Sequence, residues 1–125
     1  MEGILYKDES YKIIGSCMKV HAELGSGFLE SVYQEALEIQ FKKDAVPYVK
    51  EKLLNIQFDC KKLKKYFKAD FVCYEKIIVE LKATKYIVEA DYKQTLNNIL
   101  ATNFKLGLLI NFGSSSLIYK RVINS

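Results

Sequence analysis

Apolar residues recur at three- and four-residue steps in two stretches near the start of the chain. Tyr11, Ile13, Ile14, Cys17, Met18, Val20, His21 and Leu24 predict a helix over roughly residues 9–24. Asp8 or Ser10 is placed to cap it, and Gly25-Ser26-Gly27 to break it. Leu29, Val32, Tyr33, Ala36, Leu37, Gln40 and Phe41 predict a second helix ending around Lys43-Asp44, ahead of Pro47. From Tyr48 to about Asp59 the pattern turns extended, with Val49, Leu53, Leu54, Ile56 and Phe58. Cys60 to Lys65 reads as a basic connection, and a hairpin follows from about Tyr66 to Ala83. A third helix is expected over roughly residues 90–103, built on Tyr92, Leu96, Ile99 and Leu100. The unbroken apolar run from Leu106 to Phe112 suits a strand covered on both faces. After a turn at Gly113-Ser114-Ser115-Ser116, a last strand is expected from Leu117 to Ile123.

The hairpin breaks its own pattern. Its two β-type runs, Lys68 to Val72 and Ile77 to Ala83, carry Asp70, Glu80 and Lys82 where a core strand favours apolar side chains. Such groups are costly to bury unless they serve one another or a bound ion. Alternation puts Ile78, Glu80 and Lys82 on one face and Ile77, Val79, Leu81 and Ala83 on the other. A two-residue turn at Glu75-Lys76 would pair Asp70 with Leu81 and scatter the charges. A three-residue connection, Tyr74 to Lys76, or a bulge pairs Asp70 with Glu80 instead, and this is the arrangement expected.

Two carboxylates and an ammonium on one edge of a sheet suit phosphodiester hydrolysis. Asp70 and Glu80 would hold Mg²⁺ (or Mn²⁺), a hard ion that takes one or two carboxylates and keeps its waters. Lys82 would orient the attacking water or steady the developing negative charge. The competing reading is a surface ion pair on an edge strand, which stabilises little.

Composition narrows the setting without choosing the chemistry. Half of the 125 residues are apolar, there is one proline, and the net charge is +4, as in a compact globular chain. One domain, 1–125, is expected at this length. No apolar run approaches the roughly 20 residues that span a bilayer, so no membrane partner is expected. The N-terminal stretch lacks the form of a signal peptide. Cys17, Cys60 and Cys73 show no metal-ligand spacing and read as reduced thiols in a cytoplasmic protein. Lys61, Lys62, Lys64, Lys65 and Lys68, interleaved with Tyr66 and Phe67, would track a phosphate backbone, or else form a solvated hairpin tip whose lysines discourage edge pairing.

Asp70, nine intervening residues, then Glu80-Leu81-Lys82 resembles the core of the PD-(D/E)XK nuclease superfamily, which includes restriction endonucleases and Holliday junction resolvases. Gly27-Phe28-Leu29-Glu30-Ser31-Val32-Tyr33 resembles the motif of the small bacterial GxxExxY family of this type. The likeness continues through Val20 to Gly25, Val79 to Ala83 and Gly107 to Gly113. It implies an α/β, restriction-endonuclease-like fold: a central mixed sheet of four to five strands flanked by helices, in the order ααβββαββ. It implies a Mg²⁺-dependent nuclease acting on nucleic acid, with DNA the expected partner. Asp70, Glu80 and Glu30 are then metal residues, and Lys82 and Gln94 join them in catalysis. Glu30 has an alternative: with Gly27 as N-cap it would be the acidic half of a capping box. Tyr33 is expected as a packed aromatic with its hydroxyl at the site, and His21 as a hydrogen-bonded core residue. Ala69 stands where the superfamily name has proline, and Asn98 where related nucleases have tyrosine after the glutamine. The second departure puts substrate contacts in doubt. A non-catalytic nucleic-acid-binding or protein-interaction module keeping this fold is the alternative, and specificity would come from a homodimer, DNA shape or a partner.

Overall fold

The computed structural model describes residues 3–124. Its element order is ααβββαββ: α1 (Lys7–Leu24), α2 (Glu30–Lys43), β1 (Tyr48–Phe58), β2 (Lys61–Cys73), β3 (Ile77–Lys82), α3 (Glu89–Ala101), β4 (Leu106–Asn111) and β5 (Ile118–Ile123). The strands form one five-stranded mixed sheet in the order β1-β2-β3-β4-β5. Only the β3–β4 pair is parallel, and α3 is its crossover, as a parallel pair requires.

The sheet is covered on both faces. On one face Ile13, Cys17 and Val20 of α1 and Tyr33, Leu37 and Phe41 of α2 pack on Phe71, Val79, Leu81, Leu108 and Ile110. On the other, Ile99 of α3 packs on Val72, Ile78 and Val122. All six β4 residues are buried, which explains the apolar run from Leu106 to Ile110; the polar Asn111 that ends the strand is buried too, its amide bonded to the Thr84 backbone. Each fully buried Leu, Ile or Phe contributes about 1.5–3 kcal/mol. Tyr11 and Met18, counted as core by their spacing, point outward instead.

Three local expectations need correction. Neither Asp8 nor Ser10 caps α1; Tyr6 holds the N-cap position, and Ser10 is buried within the helix, accepting a 2.8 Å bond from Arg121 Nη1. Leu29, not Gly27, is the N-cap of α2. Residues 60–65 are not a connection: β2 begins at Lys61, and only Asp59-Cys60 turn the chain, at φ +52° and +60°. Two successive positive φ values are the mark of the tight type I′ hairpin turn. Asp tolerates that geometry, but Cys carries no sequence signal for it. Among the described residues, no helix is long and apolar enough to cross a membrane.

Candidate active site

β2 and β3 are joined by Tyr74-Glu75-Lys76, with Tyr74 and Glu75 at positive φ. The ladder runs Cys73↔Ile77, Val72↔Ile78, Phe71↔Val79, a register in which Asp70 faces Glu80. It stops there. On its other side β3 stays paired to β4 through Lys82↔Asn111, so the Glu80–Lys82 edge that faces β2 is left open. The Leu81 amide finds a side chain there rather than a strand, donating to Asp70 Oδ2 at 2.7 Å.

A distortion in β1 accompanies the opening. Lys50 pairs Phe71 and Lys52 pairs Ala69, but Glu51, between them, stands at φ +52°. A non-glycine residue held there costs of order 1–3 kcal/mol. β2 changes face at the same level: Ala69 belongs to the cluster under α3, whereas Phe71 packs under α1 and α2. Asp70 sits at that switch.

The opening is a cleft of about 200 Å³ at the carboxyl end of β3. Asp70, Glu80 and Lys82 line it from the sheet, Glu30 from the start of α2, and Gln94 from α3. All five residues expected to act in catalysis therefore share one cavity. Of the lysines expected along a phosphate backbone, Lys68 lines it, while Lys61, Lys62, Lys64 and Lys65 lie far out on β2, exposed. Asn98, the departure from tyrosine, lines it too.

The electrostatics centre on Glu80. Burial, then the negative charge of Asp70 and a hydrogen bond with it, pushes its carboxyl up to about 9. Its Oε1 is buried with no hydrogen-bond partner. Glu30, at the mouth of the cleft, is also raised, by burial first and then by the charge of Asp70, with Lys82 opposing. Lys82 Nζ lies 3.7 Å from Asp91 Oδ1, while Asp91 Oδ2 accepts the Val88 amide at 3.1 Å and so caps α3. Asp91 escaped the sequence reading. Its signal was an acid three residues after the N-cap Val88, a position whose usual explanation is capping alone.

Glu30 is the first residue of α2 and makes no capping bond, so the capping-box alternative is not what the fold uses. Tyr33 explains how it is aimed. The Tyr33 hydroxyl does not line the cleft; it donates to the Gly25 carbonyl at 2.6 Å and accepts the Phe28 amide at 3.3 Å. Its ring stacks on Phe112 at 4.7 Å. Gly27 takes φ +110°, where side chains are strained. Glycine, glutamate and tyrosine thus form one device: a sharp loop, the residue it delivers, and the staple that holds it. His21 is separate, its Nε2 2.9 Å from the Ser114 carbonyl.

The donor set fits a hard divalent cation. Carboxylate oxygens suit Mg²⁺ or Mn²⁺, and a buried oxygen lacking a partner is what an ion would satisfy. Among the described residues no three His, Cys, Asp or Glu side chains stand together closely enough to cage an ion. Two carboxylates completed by water match the way Mg²⁺ is usually held.

A family model described as the PD-(D/E)XK nuclease superfamily matches residues 7–122. No curated protein matches the chain. Among solved structures, the crystal structure of SSO0001 is similar at a TM-score of 0.60, with 16% identity over 95% of this chain. The chain spans 60% of that protein's length, and at this identity the likeness is one of fold.

Proposed function

The chain belongs to the PD-(D/E)XK nuclease superfamily, and from that premise we propose that it is a nuclease that hydrolyses nucleic-acid phosphodiester bonds with a divalent cation. The observation that carries the reading is the buried Glu80 Oε1, without a partner and beside Asp70, at the open edge of β3. Asp70 and Glu80 would hold Mg²⁺ or Mn²⁺, and Glu30, in the cleft wall but not close enough to complete a three-acid cage, would reach the ion through one of its waters. When bound, such an ion lowers the pKa of a water and neutralises charge on the phosphate. Lys82 presents its ammonium to the negative charge that builds on the phosphate, and Asp91 restrains it in that position. Gln94, on the α3 wall, is a hydrogen-bonding group for phosphate or water. Membership of the GxxExxY family is part of this proposal, supported by the Gly27, Glu30 and Tyr33 device. So are a DNA substrate, a homodimer, and a reducing, cytoplasmic setting, the last in keeping with the free thiols of Cys17, Cys60 and Cys73.

Calorimetric titration of Mn²⁺ into the wild type and Asp70→Asn tests the site, together with cleavage of DNA and RNA in Mg²⁺ or Mn²⁺ using Glu80→Ala as control. Mn²⁺ uptake and cleavage that both variants lose are expected. Nucleic-acid binding without cleavage, indifferent to Glu80→Ala, would favour the non-catalytic module.

A further inference from the structure

We propose that the outer half of the β1–β2 hairpin is a docking arm for duplex nucleic acid, which it enters by a groove and reads without regard to base sequence. The proposal deepens the nuclease reading by assigning the substrate's form and the surface that grips it.

The arm exists because the sheet ends early. β3 pairs with β2 only at Phe71–Cys73, yet the β1–β2 ladder continues to Phe58↔Lys61. At the root, Leu54 and Phe67 still pack against the cluster under α3. Beyond it, every residue from Lys61 to Tyr66 is exposed, while Asn55, Gln57 and Cys60 overlook the end of α3 across an open cavity of about 670 Å³. Opposite Ile56, β2 carries three residues, Leu63, Lys64 and Lys65, between the pairs Asn55↔Tyr66 and Gln57↔Lys62. Such a bulge twists a ribbon and spoils it as an edge for further strand pairing.

Charge is concentrated on this segment. Residues 50–68 hold seven lysines against Glu51 and Asp59, a net +5; the chain as a whole is +4, which leaves the remainder at −1. Adjacent strand residues leave by opposite faces, so Lys61 and Lys62 diverge to the two sides of the ribbon. A single strand bound along one face would use half of that charge. A duplex groove has a phosphate rail on each side, and a major groove about 12 Å wide admits a two-stranded ribbon. β1 carries four residues beyond the root, Asn55 to Phe58, so the free length is roughly 13 Å, a little over a third of a helical turn of about 34 Å.

Sequence indifference follows from which cation is present. The chain has a single arginine, and it is committed: Arg121 Nη1 bonds Ser10 Oγ at 2.8 Å and Nη2 bonds the Leu5 carbonyl at 2.6 Å. The arm carries only lysines, point charges that suit phosphates and lack the planar fork that singles out guanine. Lys68, on the same strand, lines the cleft, so a backbone held by the arm leads to Asp70 and Glu80.

The experiment is fluorescence anisotropy without divalent metal. It uses unrelated mixed-sequence duplexes and their single strands from 50 to 200 mM salt, with wild type, K61Q/K62Q/K64Q/K65Q and the control K42Q/K43Q at the end of α2. Each phosphate contact contributes about 0.9 to the salt slope, so the quadruple variant should lose about 3–4 from it and roughly 100-fold in affinity at the higher salt. The control should match wild type, and unrelated duplexes should bind alike. An unchanged melting temperature and unchanged Mn²⁺ uptake would show the variant folded. Wild-type affinity in the quadruple variant, single strands held as tightly as duplexes, a strong preference for one sequence, or no duplex binding at 50 mM salt would each overturn the proposal. Arm-dependent duplex binding without cleavage by the wild type would refute the nuclease reading and leave this one standing.

Discussion

Replacing Glu80 with Gln should stabilise the metal-free protein, and by an amount that grows with pH. In the folded chain the Glu80 carboxyl holds its proton up to about 9, against an ordinary value of 4.5, chiefly because it is buried beside Asp70. Between those values the folded state keeps a proton that the unfolded state has released. Stability therefore falls as pH rises through that window, by about 1.4 kcal/mol per unit for a single group. From pH 5 to 8 this amounts to about 4 kcal/mol at most. That is a large share of the roughly 5–15 kcal/mol that holds a domain of this kind together. Glutamine keeps the shape and cannot ionise. Urea unfolding of both proteins at pH 5, 6, 7 and 8 should give similar stabilities at pH 5 and a widening gap in favour of the variant. Saturating Mn²⁺ at pH 8 should narrow the gap by stabilising the wild type, by about 2.7 kcal/mol at a hundred times the dissociation constant. Parallel pH profiles for the two proteins would refute the reasoning, since Glu80 would then ionise freely where it sits.

Other substitutions test the supports of the site. Tyr33→Phe keeps the stacking on Phe112 but loses the 2.6 Å bond to Gly25 and the 3.3 Å bond from Phe28; it should cost about 1 kcal/mol in urea unfolding and strip hydrogen-exchange protection from the Phe28 amide. Asp44, held down to about 2 by the Ser16 hydroxyl first and then by Lys19, ties α1 to the end of α2. Its contribution is complete above pH 4 and lost as pH falls towards 2; Asp44→Ala should therefore cost about 1 kcal/mol at pH 7, screened by water, and less at pH 2.5 in matched unfolding curves. Gly113→Ala would drive a methyl into the Thr84 backbone, which Asn111 pins through its own bonds, and should cost 2 kcal/mol or more, read as a lower unfolding midpoint.

The order of elements was legible because each carries its period: three- and four-residue steps in the helices, a largely apolar run in β4. The Asp70–Glu80 juxtaposition was legible because strand parity leaves few registers, and a three-residue connection selects one of them. What stayed hidden depends on contacts far along the chain. The opening of the cleft comes from β2 leaving β3 after Phe71, and no residue near Asp70 announces it. Glu51 at positive φ looks from sequence like any exposed strand residue. Asp91 reads as a helix cap and is one, and its second task, 3.7 Å from Lys82, exists only once α3 has packed. From Cys60 to Lys65 the basic ribbon reads as a loop because lysines have low β-propensity and its turn lacks glycine.

These hidden features have one physical logic. A sheet closed by regular pairing would give the Leu81 amide a backbone partner and have no room for a carboxylate pair. Here the ladder parts, Asp70 takes the Leu81 amide, and Glu80 is left with a buried oxygen unsatisfied. Each step costs stability: a residue strained at Glu51, a buried acid held from ionising, an open strand edge. The apolar packing on both faces of the sheet offsets that cost and fixes β3 between β4 and the open cleft. If the unsatisfied Glu80 served only the fold, Glu80→Gln would stabilise the protein and change nothing else. If it serves an ion, the same substitution stabilises the fold and abolishes Mn²⁺ uptake together, a coupling that no purely structural role produces.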